Sequence, residues 1–415
     1  MRHHETSVTE TTVLRTRVVW FMALAAALGT ASIYPLQPGI SNVADAMGVS
    51  LTHIGVALAC GPVGYLVGLA LLVPLVDRMS PRSVVSTQFA ALAVALIVNA
   101  AASSTVVLGL IVGVVGAGSS VGAQLSSVAG RFAPPGRRAT VLGMVTAGIS
   151  AGILAGRIVG GWLTDVIGWR GTLLTLAVGC VVIAGVARLV LPAASASVNT
   201  GYLAAIRGLP GLYVRYPLLR LTASRGAVWF FAFCALWAGL AVALSQPPFS
   251  YSAERIGTYA FAGLLGIVAT RVAGAWTDRV GARRIIVIGL VIAFVATALL
   301  GAFLANTAVV ILCLGAFDAG LFAAQVANQS TVLAIDSAAP ARFNSAYMIV
   351  YFVGGSLGTA FGAAAVGWLG WPVTAGIVAG AIVLAATITL ASSPTETAAL
   401  PTTLAMTCSD PRHPQ

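Results

Sequence analysis

The sequence predicts an all-α membrane protein built as two pseudo-symmetric six-helix bundles. Three observations carry this. Of 415 residues, 59% are hydrophobic and only 8% charged, where a soluble chain is about one-quarter charged. Apolar stretches of ~20 residues recur from end to end, each long enough to cross a ~30 Å hydrocarbon layer. The second half also repeats the first at an offset of 202: Gly152, Gly156 and Gly160 return as Gly354, Gly358 and Gly362, and Gly168-Trp169 returns as Gly370-Trp371.

Twelve spans are expected. The first six fall at about 18–38, 53–76, 83–102, 105–130, 139–163 and 171–191. The second six fall at about 221–246, 256–276, 285–305, 308–334, 345–368 and 371–391. Most connections are short, as suits antiparallel neighbours. Residues 1–17 form a polar leading segment in which no removable signal peptide is expected. Residues 18–191 make one bundle and 221–391 the other. Residues 192–220 are the linker between them, where 202–209 could form an amphipathic helix at the interface. The tail, 392–415, is rich in Pro and Thr and is expected to be disordered.

Orientation follows from arginine, because the chain has no lysine. With the N-terminus inside, nineteen of the 22 arginines fall on cytoplasmic segments, only Arg170 and Arg255 fall outside, and Arg157 lies within a span. Both termini are therefore expected in the cytoplasm, with the chain in the cell (inner) membrane. The net charge of +11 is read as this topological signal, not as a nucleic-acid surface.

Several function classes are excluded. No Walker loop is present, so no ATP motor is expected. The histidines stand at 3, 4, 53 and 413, which allows no histidine-based triad in the membrane. Five cysteines without a CxxC pair imply neither a disulfide framework nor a metal site. The chain is expected not to be an enzyme and to need no cofactor, with a proton gradient as its energy source.

The glycine ladder Gly148, Gly152, Gly156 and Gly160 gives span 5 one smooth face, and Gly354, Gly358 and Gly362 do the same for span 11. Such a face lets another backbone approach closely. It is expected to be a sliding contact between the halves. A second repeated element is Asp77-Arg78-x-x-x-Arg82 after span 2 and Asp278-Arg279-x-x-x-Arg283 after span 8. Val73 and Ser80 in the first copy stand where the second has Gly274 and Gly281.

With these paired loops, twelve spans, a basic linker and the span-5 ladder, the chain resembles the major facilitator superfamily over about residues 18–391. Within it, the chain is similar to bacterial efflux-type permeases. Tyr34-Pro35-Leu36-Gln37-Pro38 and Pro247-Pro248-Phe249 carry that likeness. The resemblance implies gating roles for Asp77, Arg78, Arg82, Asp278, Arg279 and Arg283, whose charge-assisted bonds would bias a rocking equilibrium. Two departures stand out. No arginine occurs at 108–118 in span 4, and the ladder reads Gly156-Arg157 where the family often has Gly-Pro.

Two ionisable residues lie deep in spans, Arg157 in span 5 and Asp318 in span 10. A charge at that depth costs at least ~2.5–3.5 kcal/mol, so each is a functional candidate. Arg157 could bind an anionic group or control a proton site. It could equally reach the interface or pair with Asp165 or Asp45. Asp318 could be the proton-coupling carboxylate or a satisfied helix-to-helix bond. Lying in opposite halves, the two could meet across a central cavity. Arg188, Arg225 and Arg271, near span ends, are expected to snorkel. The deep amides Gln37, Gln124, Gln246, Gln325 and Asn328 could bind cargo or tie helices together. Tyr34, with aromatics such as Trp237, could line the cavity or face lipid and neighbouring helices.

The expected function is secondary active transport by alternating access, as proton-coupled efflux of small organic molecules. The alternative is a proton symporter or facilitator importing a small, possibly anionic, metabolite. A receptor or scaffold is disfavoured, because deep charges and paired gating loops would then serve no purpose. Expected partners are a small-molecule substrate and the lipid bilayer, with no nucleic acid, and the chain is expected to be a monomer. No motif identifies the substrate.

Overall fold

The computed structural model describes residues 15–133, 137–193, 209–336 and 340–391, apart from the side chains at 77, 138, 139, 278, 340 and 341. Among the described residues there is no strand. Helix α1 is Thr16–Ala31, α2 Ile40–Met47, α3 Leu51–Leu71, α4 Pro81–Ala100, α5 Thr105–Ser119 and α6 Val121–Phe132. Helix α7 runs from Arg138 to Val190 but reverses at Gly168, where φ is 76°. Then follow α8 Leu209–Arg215, α9 Pro217–Ser245, α10 Ala253–Thr258, α11 Leu264–Val280, α12 Ala282–Ala302, α13 Thr307–Leu333, α14 Pro340–Leu369 and α15 Trp371–Ala391.

Among the described residues, ten helical segments are long and apolar enough to cross a membrane. One of them is α7, a 53-residue helix divided into two arms at Gly168, and the 16-residue α1 is apolar but shorter. Twelve crossings fit this set. The packing repeats between halves. In the first, α1 lies on the first arm of α7, α3 on α5, and α4 on α7; in the second, α9 lies on α14, α11 on α13, and α12 on α15. The sequence repeat also sets the turns. Gly168 and Gly370 stand at matching positions and both have positive φ, 76° and 77°, which only glycine adopts without cost.

Span boundaries differ from expectation where prolines and serines intervene. Helix α1 stops at Ala31 rather than near 38, because Pro35 and Pro38 cannot continue it and the chain turns through 32–39. The fourth crossing breaks at Ser120 between α5 and α6. Residues 202–208 of the expected interfacial helix lie outside the described residues, and the chain becomes helical at Leu209. The first Asp-Arg loop also turns in its own way. Lacking the glycine that gives the second loop φ 88° at Gly281, it passes through a 3-10 turn at Val73–Asp77. Ser80 then caps α4, accepting from the Ser83 N–H.

The glycine ladders correct one expectation. They are not contacts between halves. A Cβ built on Gly148, Gly152 or Gly156 would lie 2.2, 2.3 or 2.6 Å from the carbonyl oxygens of Ala23, Ala27 and Ala31, all in α1. In the second half, Gly354, Gly358 and Gly362 press in the same way on Ala227, Phe231 and Ala235 of α9. Each ladder therefore joins the first and fifth helices of its own bundle. The halves themselves meet elsewhere: Gly55 of α3 packs on Ala363 of α14, and Gly257 of α10 packs on the Arg157 carbonyl.

Gly152→Leu is expected to lower stability by about 1–3 kcal/mol through overpacking, with cargo movement impaired. Gly185→Ala, where no atom lies within 4 Å, should be neutral or slightly stabilising. Thermal unfolding of the two purified variants tests this, and equal midpoints would refute the tight backbone contact.

Candidate functional site

A cavity of about 190 Å³ lies where the two bundles face each other. Its walls come from both halves. The first contributes Tyr34, Gln37, Tyr65 and Arg157, and the second contributes Phe230, Phe233, Tyr351 and Phe352. The ladder explains why the first group converges. Close α1–α7 contact sets Tyr34 and Gln37 beside the turn of α7 that carries Arg157. A Cβ on Gly156 would lie 3.1 Å from the Tyr34 Cβ.

Arg157 is 3% exposed. Its Nε donates to Gln37 Oε1 at 2.9 Å. Its guanidinium carbon lies 4.3 Å from the Trp237 ring centroid, 5.0 Å from that of Tyr34 and 5.9 Å from that of Phe233. Desolvated cation–π contacts of this kind contribute up to ~2 kcal/mol. Neither Asp165 nor Asp45 pairs with it. The Asp165 carboxylate instead accepts from the N–H groups of Ala253 (3.3 Å) and Glu254 (2.7 Å), capping α10 of the other half.

Asp318 is 1% exposed in the middle of α13. Its Oδ1 accepts from the Trp237 indole N–H at 3.1 Å. Arg157 and Asp318 thus meet through an intermediary and form no ion pair. One face of the Trp237 indole carries the cation of the first half, and its N–H holds the carboxylate of the second. Trp237 was only one of several aromatic candidates in the sequence. The available signal was its indole N–H, a donor that needs a partner at membrane depth. The twin of Arg157, Thr359, also lines the cavity, but its hydroxyl is satisfied by Gly355 O at 2.9 Å.

Four predicted amides do not line this cavity: Gln124, Gln325 and Asn328 are occupied by helix-to-helix bonds, and Gln246 lies in a turn. Gln124 donates to Leu72 O (2.7 Å) and Gln88 Oε1 (2.6 Å). Gln325 Oε1 accepts from the Tyr347 hydroxyl at 2.5 Å. Gln246 sits in the turn after α9, its carbonyl accepting from Phe249 and Ser250. Asn328 Oδ1 accepts from Arg225 Nε at 2.8 Å, and its Nδ2 donates to Thr222 O at 3.0 Å. This corrects the reading of Arg225, which does not snorkel. It is 2% exposed and held inside the second bundle.

At the gating loops, the side chains of Asp77 and Asp278 lie outside the described set. Arg78 and Arg279 are exposed. The last arginine of each loop reaches the end of the sixth helix of its half. The Arg82 backbone N–H donates to Pro192 O at 3.2 Å, and Arg283 Nη2 donates to Leu390 O at 2.7 Å.

Residues 19–269 match the family model described as Major Facilitator Superfamily. The chain is 28% identical over 356 residues to YgaY of Escherichia coli O157:H7, described as an uncharacterised transporter, covering 85% of this chain and 90% of that one. It is 30% identical over 353 residues to the probable transporter SCO4007 of Streptomyces coelicolor, covering 84% and 81%. Among solved structures, the fold matches a bacterial homologue of the human lysosomal transporter Spinster, in an inward-facing, unoccupied conformation, with TM-score 0.73 at 15% identity over 92% of this chain and 96% of that one. It also matches the nucleoside transporter NupG (TM-score 0.75, 12% identity, 90% and 99% covered).

Proposed function

Because the chain belongs to the major facilitator superfamily and is a multi-pass membrane transporter, we propose that it moves a small organic anion together with a proton by alternating access. The observation that carries this is the Trp237 bridge between Arg157 and Asp318. Asp318 is the proton carrier. Ionised, it balances Arg157 across the indole and holds the Trp237 N–H by a charge-assisted bond of ~1.5–3 kcal/mol. Protonated, it loses about half of that bond strength and leaves Arg157 without a balancing charge.

An anion in the cavity would restore that charge. Proton and anion therefore stabilise each other's binding and load as a pair, which is the linkage needed for co-transport. Exchange would require them to compete. The α10 cap by Asp165 and the Gly257 contact close the face opposite the linker. With the linker in the cytoplasm, closure of that face supports reading the conformation as inward-facing. Movement down an inward proton gradient then gives uptake across the inner membrane.

Efflux is the second reading, supported by Tyr34-Pro35-Leu36-Gln37-Pro38 and the likeness to efflux-type permeases. It requires a cargo without negative charge, which would compete with the proton.

Proteoliposomes under an imposed pH gradient separate the two. A panel of small organic acids and amines is offered while a pH dye reports proton flux. Co-transport predicts that an acid enters with protons and collapses the gradient. Protons moving against an amine would establish exchange, and no cargo-dependent proton movement would reject both.

A further inference from the structure

Resting on that transport reading and naming its cargo, we infer that the central cavity selects a planar aromatic monocarboxylate of about one ring. Three features of the cavity lead there. The first is the cation. Arg157 Nε is taken by Gln37, while Nη1 and Nη2 have no hydrogen-bond partner among the described residues. They belong to a nearly buried side chain that lines the cavity. A guanidinium with two adjacent donors free matches a carboxylate, which accepts two parallel N–H bonds. Among the described residues, no second cation lines the cavity. A dianion would therefore leave one charge buried and unpaired, and an amine would be repelled.

The second feature is the wall. Beside aliphatic residues such as Ile33, Leu58 and Ile153, it carries a connected cluster of rings. Phe230 stacks on Tyr351 at 4.0 Å with 11° between planes, and on Phe233 at 5.9 Å with 16°. Phe352 stands edge-on to Phe230 at 5.4 Å and packs on Tyr65 at 4.8 Å. Ring faces carry negative potential and repel a carboxylate, whereas ring edges attract those faces. Both preferences orient a cargo one way, with the acid towards Arg157 and the ring among the aromatics.

The third feature is size. About 190 Å³ is below the ~300–1,000 Å³ of sites for drug-sized ligands. One ring and a short acid fit, and a drug-sized polycycle does not.

The test is equilibrium binding to the purified full-length protein in detergent, without a gradient, using four matched probes. These are 3-phenylpropionate, its neutral amide, 3-cyclohexylpropionate and the dianion phenylsuccinate. Wild type should bind 3-phenylpropionate at least tenfold more tightly than the amide or the dianion, and several-fold more tightly than the cyclohexyl acid. Arg157→Gln should erase the acid-over-amide preference. Phe230→Leu should erase the phenyl-over-cyclohexyl preference while keeping acid over amide, which preserves the test if Arg157→Gln fails to fold. Equal binding of acid and amide by wild type, an acid preference that survives Arg157→Gln, or no binding of any probe would overturn the inference. Binding with the expected selectivity but no proton flux in proteoliposomes would reject the coupling and leave the cargo assignment standing.

Discussion

Asp318→Asn is expected to abolish gradient-driven accumulation, by tenfold or more, while leaving gradient-free exchange of cargo intact. Asparagine keeps the shape of aspartate, and its Oδ1 can still accept from the Trp237 N–H, so the bundle should fold. It cannot take up or release a proton, so it holds the site in the state that the protonated acid reaches only transiently. Arg157 then lacks its balancing charge throughout the cycle, and an anionic cargo should bind as tightly as to wild type or more so. Counterflow in proteoliposomes measures exchange, and a pH jump measures accumulation. Asp318→Glu should retain part of the coupling. Trp237→Phe, which keeps a ring against Arg157 but lacks the donor, should couple poorly without losing cargo binding. Accumulation at the wild-type level in Asp318→Asn would remove Asp318 from the proton path.

Asn328→Leu should be among the most destabilising single changes in the second bundle. Arg225 is buried in α9 and its Nε is held by Asn328. Leucine has similar bulk but no acceptor, so a cation is left without its partner inside the bundle. Removing one partner of a buried charged bond costs about 2–5 kcal/mol. The loss of the Asn328 bond to Thr222 O adds to this. Thermal unfolding of the purified variant should show a clear fall in midpoint. The double variant Arg225→Met/Asn328→Leu should be more stable than the sum of its single changes, because the unpaired charge is gone. A single variant within about 0.5 kcal/mol of wild type would mean that Arg225 finds another partner or water.

Sequence and structure divide the account along a physical line. Length of apolar runs, glycine spacing and positive-φ turns are local properties, because a helix needs only its own residues to satisfy its backbone and to cross a bilayer. From those alone came the all-helical fold, the two-bundle repeat with Gly168-Trp169 recurring as Gly370-Trp371, and the two deep charges, Arg157 and Asp318. The same reasoning misplaced what depends on neighbours. Four-residue glycine spacing gives a smooth face but not its partner, so the ladders proved to lie on α1 and α9 of their own halves. A deep amide announces a bond but not its recipient, so the sequence left cargo binding and helix tying both open for Gln124, Gln325 and Asn328, and packing gave them the second.

Arg225 looked free to reach the interface because the sequence does not show which way its helix face turns. The site itself joins Gln37 to Arg157 across 120 residues of sequence and Trp237 to Asp318 across 81. Those pairings follow from the rotation and packing of whole helices. The sequence by itself determined that two charges sit deep in the membrane. Only the tertiary structure decided that one tryptophan, presenting its face to one charge and its N–H to the other, stands between them.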